Sequence, residues 1–101
     1  MAQFATANVT VTTAGTRVQV STTDLFVKKV VLAGHAANTG HIYVGGSTVS
    51  ATVGLHLKVG APPLVLDAPL IDGRTDSINL KNMYVDASVN GEKVSLLYMT
   101  A

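Results

Sequence analysis

The chain has 101 residues, seven basic and six acidic side chains, a net charge of +1 and no cysteine or tryptophan. Its length allows one domain with a modest core. The lack of cysteine excludes disulfides and thiolate metal sites, and the balanced charge argues against a polyanion-binding module. Hydrophobic residues make up 48% and charged residues 13%, about half the ~25% charge of a usual soluble domain. Association therefore costs little in desolvated charge, and the monomer is expected to expose apolar surface that a partner or a second copy covers.

No stretch approaches the ~20 apolar residues of a membrane span. Met1-Ala2-Gln3-Phe4-Ala5-Thr6 lacks the basic start and apolar run of a secretory signal, so synthesis in the cytoplasm is expected. Asn8-Val9-Thr10 matches a glycosylation sequon but reads as strand sequence.

Along the chain the apolar period is two and nowhere 3.6. Phe4–Thr13 is threonine-rich and ends at Ala14-Gly15; residues 1–13 are either the first strand or an extended N-terminal arm. Thr16–Ser21 alternates, with Val18 and Val20 inward. A loop at Ser21–Asp24 leads to an apolar strand over Leu25–Ala33, a turn at Gly34–Gly40, and a strand over His41–Val44. Ser47–Gly54 reads as a loop or a short edge strand. Leu55–Val59 and Leu64–Asp67 are strands around Gly60-Ala61-Pro62-Pro63, whose prolines forbid a ladder. A polar turn at Asp72–Asp76 precedes strands at Ser77–Leu80 and Met83–Ala87. Asn90-Gly91 is a hairpin signal before Lys93–Met99. Seven to nine short antiparallel strands at this spacing predict one all-β domain over residues 1–101, a β-sandwich or jelly roll.

Two strands are apolar on both faces. Strict alternation puts Val27, Val31 and Ala33 on one side of the first and Phe26, Val30 and Leu32 on the other; in the last, Val94, Leu96 and Tyr98 oppose Leu97 and Met99. A sandwich strand normally has one wet face, so the second face needs a cover: a loop of the same chain, or another subunit. The expected interface residues are Leu97, Met99, Phe26, Val30 and Leu32. Thr10 and Thr12 join them, on an N-terminal segment able to pair with a foreign strand. Lys28-Lys29 reads as a strand end or edge where lysine blocks pairing, with one lysine on each face.

The chemistry-bearing residues form no constellation. His35, His41 and His56 sit in or beside turns without a third metal ligand at a recognisable spacing. Asp72–Asp76 lacks the further oxygen ligands and closing glutamate of a calcium loop. Gly-x-Ser-x-Gly is absent, and Gly45-Gly46-Ser47 lacks the lysine of a phosphate loop. No catalytic, cofactor or metal residue is assigned, and the chain is expected not to be an enzyme. Three tyrosines and two phenylalanines give too few aromatics for a stacking platform on single-stranded nucleic acid.

The order of the motifs carries a resemblance. Asn38-Thr39-Gly40-His41-Ile42-Tyr43-Val44-Gly45 is followed by Val49-Ser50-Ala51-Thr52-Val53-Gly54-Leu55-His56-Leu57. Met83-Tyr84-Val85-Asp86-Ala87 and Gly91-Glu92-Lys93-Val94-Ser95-Leu96-Leu97-Tyr98 come after it. Together with the threonine-rich start and Val27-Lys28-Lys29-Val30-Val31, this layout resembles small virion proteins of tailed bacteriophages, of the head decoration or cement type. Relatives tend to carry Leu-x-Pro-Gly after the Gly-x-x-Leu segment, where this chain has Leu57-Lys58-Val59-Gly60-Ala61-Pro62-Pro63. The resemblance implies a β-sandwich that assembles, often as a homotrimer, on the capsid exterior of the virion. The major capsid protein is then its partner, with no nucleic acid, membrane or cofactor involved. Two other classes fit the composition: a tail, fibre or baseplate module, and a carbohydrate-binding β-sandwich, which would need Tyr43 or Tyr84 exposed beside a groove.

Overall fold

In the computed structural model, residues 3–35, 38–50, 52–58, 62–68, 70–71, 74–75 and 77–100 are described. The strands are β1 (Phe4–Val11), β2 (Val18–Gln19), β3 (Phe26–Gly34), β4 (Ile42–Gly45), β5 (Leu55–Leu57), β6 (Leu64–Asp67), β7 (Leu70–Ile71), β8 (Arg74–Thr75), β9 (Ile78–Asn79), β10 (Tyr84–Ala87) and β11 (Glu92–Thr100), with one 3₁₀ turn at Leu80–Asn82. All the pairings are antiparallel. The protein is an all-β sandwich, as the period-two pattern predicts.

One sheet runs β1-β11-β3-β6, with β9 also on β3; the other runs β2-β10-β4-β5, and β7-β8 form a separate two-stranded ladder. With β7, β8 and β9 set aside as an insertion, the first strand pairs with the last, the second with the next to last, and so inward to β4 with β5. This is one long hairpin rolled up, and β11 on β3 and β10 on β4 are the contacts that the rolling creates. That connectivity is a jelly roll.

The core lies between the sheets: Val11, Val27, Val30, Leu32, Val94 and Leu96 from the first meet Ile42, Val44, Leu57, Val85 and Ala87 from the second, with Leu80 at one end. The 3₁₀ turn falls within and just after the strand expected at Ser77–Leu80. Asn79 starts it by accepting the N–H of Lys81, and the same oxygen takes the N–H of Leu25. Ser47–Ser50 and Thr52–Gly54 are loop, not strand, and bury Val49 against Gly45 and Gly54. The turn expected at Asp72–Asp76 lies partly outside the described residues, as do Gly60 and Ala61 of the proline turn.

The expected facing of β3 is corrected. Met99 stands opposite Lys29, but Thr100 stands opposite Val27, so the register shifts by one residue and Lys28 is the extra residue of a bulge. A bulge of this kind flips the side-chain parity beyond it. Val27 and Val30, three apart, are therefore both fully buried, together with Leu32. Val30 and Leu32 belong to the core and not to an interface, while Phe26 faces outward with Val31 and Ala33. Nor is β3 an edge strand: β11 lies on one side, and β6 and β9 share the other. The flanking strands part at the lysine pair, where Lys28 accepts the N–H of Ala68.

Candidate interaction surface

The residue rows across the outer face of the β1-β11-β3-β6 sheet follow from the register. One row reads Phe4, Met99, Lys29, Asp67; the next Thr6, Leu97, Val31, Val65; the next Asn8, Ser95, Ala33; and the last Thr10, Lys93. Side chains at directly opposed positions sit about 5 Å apart, so a row acts as a continuous strip. The second row is apolar from Leu97 to Val65. Exposure is 74% for Phe4, 51% for Phe26, 49% for Val65 and 42% for Leu97. No described segment folds over these side chains.

Small side chains at Ala33 and Ser95 beside the larger Val31 and Leu97 leave a shallow, open depression of about 420 Å³, bounded by Thr6, Ala7 and Asn8. The charges on the rows are few. Lys29 and Asp67 pair at 3.5 Å in solvent, and Lys93 lies at the far end. An exposed pair of this kind contributes at most about 1 kcal/mol. The face is thus apolar in its middle and thinly charged at its corners.

Of the expected interface residues, Leu97, Met99, Phe26 and Thr10 reach this face or its margin, and Thr12 is exposed just beyond the end of β1. Phe4, Val31 and Val65 complete the patch and were not anticipated. Val65 was open to inference from the sequence, since Leu64–Asp67 alternates and puts Val65 opposite Leu64 and Leu66. Phe4 required knowing that β1 lies beside β11.

The two motifs at the heart of the resemblance meet in space. The Glu92 carboxylate, nearly fully buried, accepts the N–H of Thr39 at 3.0 Å, the N–H of Gly40 at 3.1 Å and the Thr39 hydroxyl at 3.1 Å. Asn38 closes the neighbouring rung: its side-chain amide donates to the Lys93 carbonyl at 2.7 Å, and its side-chain oxygen accepts the Lys93 N–H at 2.9 Å. Gly40 is obligatory here for space, because a Cβ would run into Ser88 Oγ and lie 2.7 Å from Val89. Ser88 Oγ is itself fixed by the His41 N–H. Asn-x-Gly and Gly-Glu-Lys are therefore two halves of one structural clasp between the β3–β4 loop and β11. Their chemistry secures the fold.

On the opposite sheet, buried Asp86 accepts the N–H groups of Gly15 and Ala87, which ties the β1–β2 turn to β10. Tyr43 packs edge-on to His56 with ring centres 4.7 Å apart and is only 7% exposed, so it offers no platform to a sugar ring. Tyr84 is half-buried. Among the described residues no three His, Asp or Glu side chains converge as a metal site would need. No protein-family model matches the chain, and no curated protein matches it.

Proposed function

We propose that this protein is a head decoration, or cement, protein of a tailed bacteriophage, which binds the outer surface of the capsid and bridges neighbouring capsomers. The observation that carries the reading is the uncovered apolar row Leu97-Val31-Val65, flanked by Phe4 and Phe26, in a chain with only 13% charged residues. The ordered motifs behind the resemblance support it independently.

Magnitudes favour a repetitive target. Burying four roughly half-exposed apolar side chains contributes about 1 kcal/mol each, near 4 kcal/mol per face. That only reaches the lower bound of the ~4–15 kcal/mol cost of association. One face is thus a weak ligand for one isolated site. On a shell, copies that also touch each other gain through effective concentration, and a weak face suffices. Partners in this reading are the major capsid protein and further copies of the chain. The trimer implied by the resemblance is one arrangement that covers the face.

The test adds purified protein to expanded shells of the major capsid protein from the same genome and measures co-sedimentation. The expected result is saturation at a fixed number of copies per capsomer, with shells more resistant to heat and with binding lost in Leu97→Lys. Failure to sediment with shells, or sedimentation with isolated tails alone, overturns the proposal.

A further inference from the structure

The two sheets present four edges, and three of them are short. β2 has two residues, β5 three and β6 four, and β6 follows directly on Pro62-Pro63. The fourth edge, β1, is eight residues long, FATANVTV, with no charge, no proline and no register shift against β11. Proteins normally blunt an exposed edge with lysine, proline, a bulge or brevity. β1 has none of these, and no described strand pairs with its outer side.

Which groups point outward follows from the ladder. Thr100 donates its N–H to the Gln3 carbonyl at 2.9 Å, so the pair Gln3–Thr100 faces inward to β11. By alternation the odd positions Ala5, Ala7, Val9 and Val11 also bond β11. The other flank of β11 agrees: His35 donates to Lys93, which assigns the odd residues of β11 to β3 and leaves the even ones for β1. The N–H and C=O groups of Phe4, Thr6, Asn8 and Thr10 therefore point away from the sheet.

We propose that β1 pairs antiparallel with β1 of a second copy, joining two sheets across a two-fold axis at Ala7. In that register Phe4 stands opposite Thr10 of the other copy, and Thr6 opposite Asn8. All four outward residues of each copy find partners, for about eight backbone hydrogen bonds. The small Ala7 meets itself on the axis, and the shared outer face continues from one copy to the next. Like charges stay apart: Lys93 shares a row with Lys29 of the other copy but lies four strand spacings away. That is about 19 Å, beyond the ~8 Å screening length. The contact is isologous and closes at two copies. It rests on the geometry of β1 and stands or falls separately from the capsid reading.

The experiment measures amide hydrogen exchange by NMR and mass by sedimentation equilibrium, both over a dilution series of the intact chain. At high concentration the amides of Thr6 and Asn8 are expected to exchange about tenfold or more slowly than on dilution. Those of Ala5 and Ala7 stay protected throughout, and the mass corresponds to an even number of copies. Thr6→Pro removes an outward donor and leaves the β11 ladder intact, so it is expected to halve the mass without lowering the melting temperature of the dilute protein. Thr10→Lys serves as the second variant, placing a charge on the edge with no backbone change. An odd assembly, or a monomer with Thr6 and Asn8 amides unprotected at every concentration, overturns the pairing. So does a mass indifferent to both substitutions.

Discussion

Replacing Glu92 by alanine tests whether the clasp between the β3–β4 loop and β11 is structural. The substitution removes a buried carboxylate and leaves the partly buried N–H groups of Thr39 and Gly40 without their acceptor. At ~1–1.5 kcal/mol for each orphaned donor the loss is about 3 kcal/mol. The Thr39 hydroxyl adds little, since Thr39 is exposed and its hydroxyl can turn to water. Against the ~5–15 kcal/mol expected for a domain of this size, that is a large fraction. At roughly 4–8 °C per kcal/mol, the melting temperature falls by about 12–24 °C. Glu92→Gln keeps one carbonyl oxygen in place and is expected to lose only about 1 kcal/mol. Thermal unfolding followed by circular dichroism, with urea titrations for the free energies, measures both. If the alanine variant melts within about 4 °C of the parent, the clasp does not secure the loop and the reasoning fails.

The remaining expectations concern packing and backbone. Leu32→Ala should cost about 2–5 kcal/mol in urea unfolding, because it opens the centre of the core, whereas Leu97→Ala should stay within about 0.5 kcal/mol. Equal costs would mean that Leu32 and Leu97 do not lie on opposite faces of the sheet, against the register that pairs Leu32 with Leu96 and Leu97 with Val31. Gly54→Ala should lose about 1–3 kcal/mol, since the residue has a φ of +122° and its Cβ would lie 2.8 Å from the Val44 carbonyl oxygen; a neutral result by thermal melt would contradict that conformation. Gly40→Ala should destabilise by about 1–3 kcal/mol in the same assay and shift the backbone amide resonances of His41 and Ser88, whose hydrogen bond it disturbs.

Legibility was uneven, and for identifiable reasons. Alternation located nearly every long strand, and Asn90-Gly91 marked the turn entering β11, with Gly91 at a φ of +80°. The hairpin expected there is corrected, because β10 and β11 lie in different sheets and the turn carries the chain from one to the other. The bulge was missed because strict period two was extended through Lys28-Lys29. The clue was present: apolar residues at positions 27 and 30, three apart, fit one face only if an extra residue intervenes. The clasp was missed for a different reason. Glu92 is 53 residues from Thr39, and nothing local in either segment says that a carboxylate in one should cap the amides of the other. The 3₁₀ turn at Leu80–Asn82 depends on Asn79 serving two donors, one of them on the distant Leu25.

What the sequence determined by itself was the class of structure. Period-two apolarity, glycine turns and scarce charge leave only paired strands with sticky surface, because those properties act over a few residues and need no knowledge of neighbours. The tertiary structure decided which strands pair, hence which side of β3 is core, which apolar row stays open, and which edge is left long and unguarded. Those outcomes are set by contacts between segments far apart in the chain, where one extra residue in one strand exchanges the buried and exposed faces of everything beyond it.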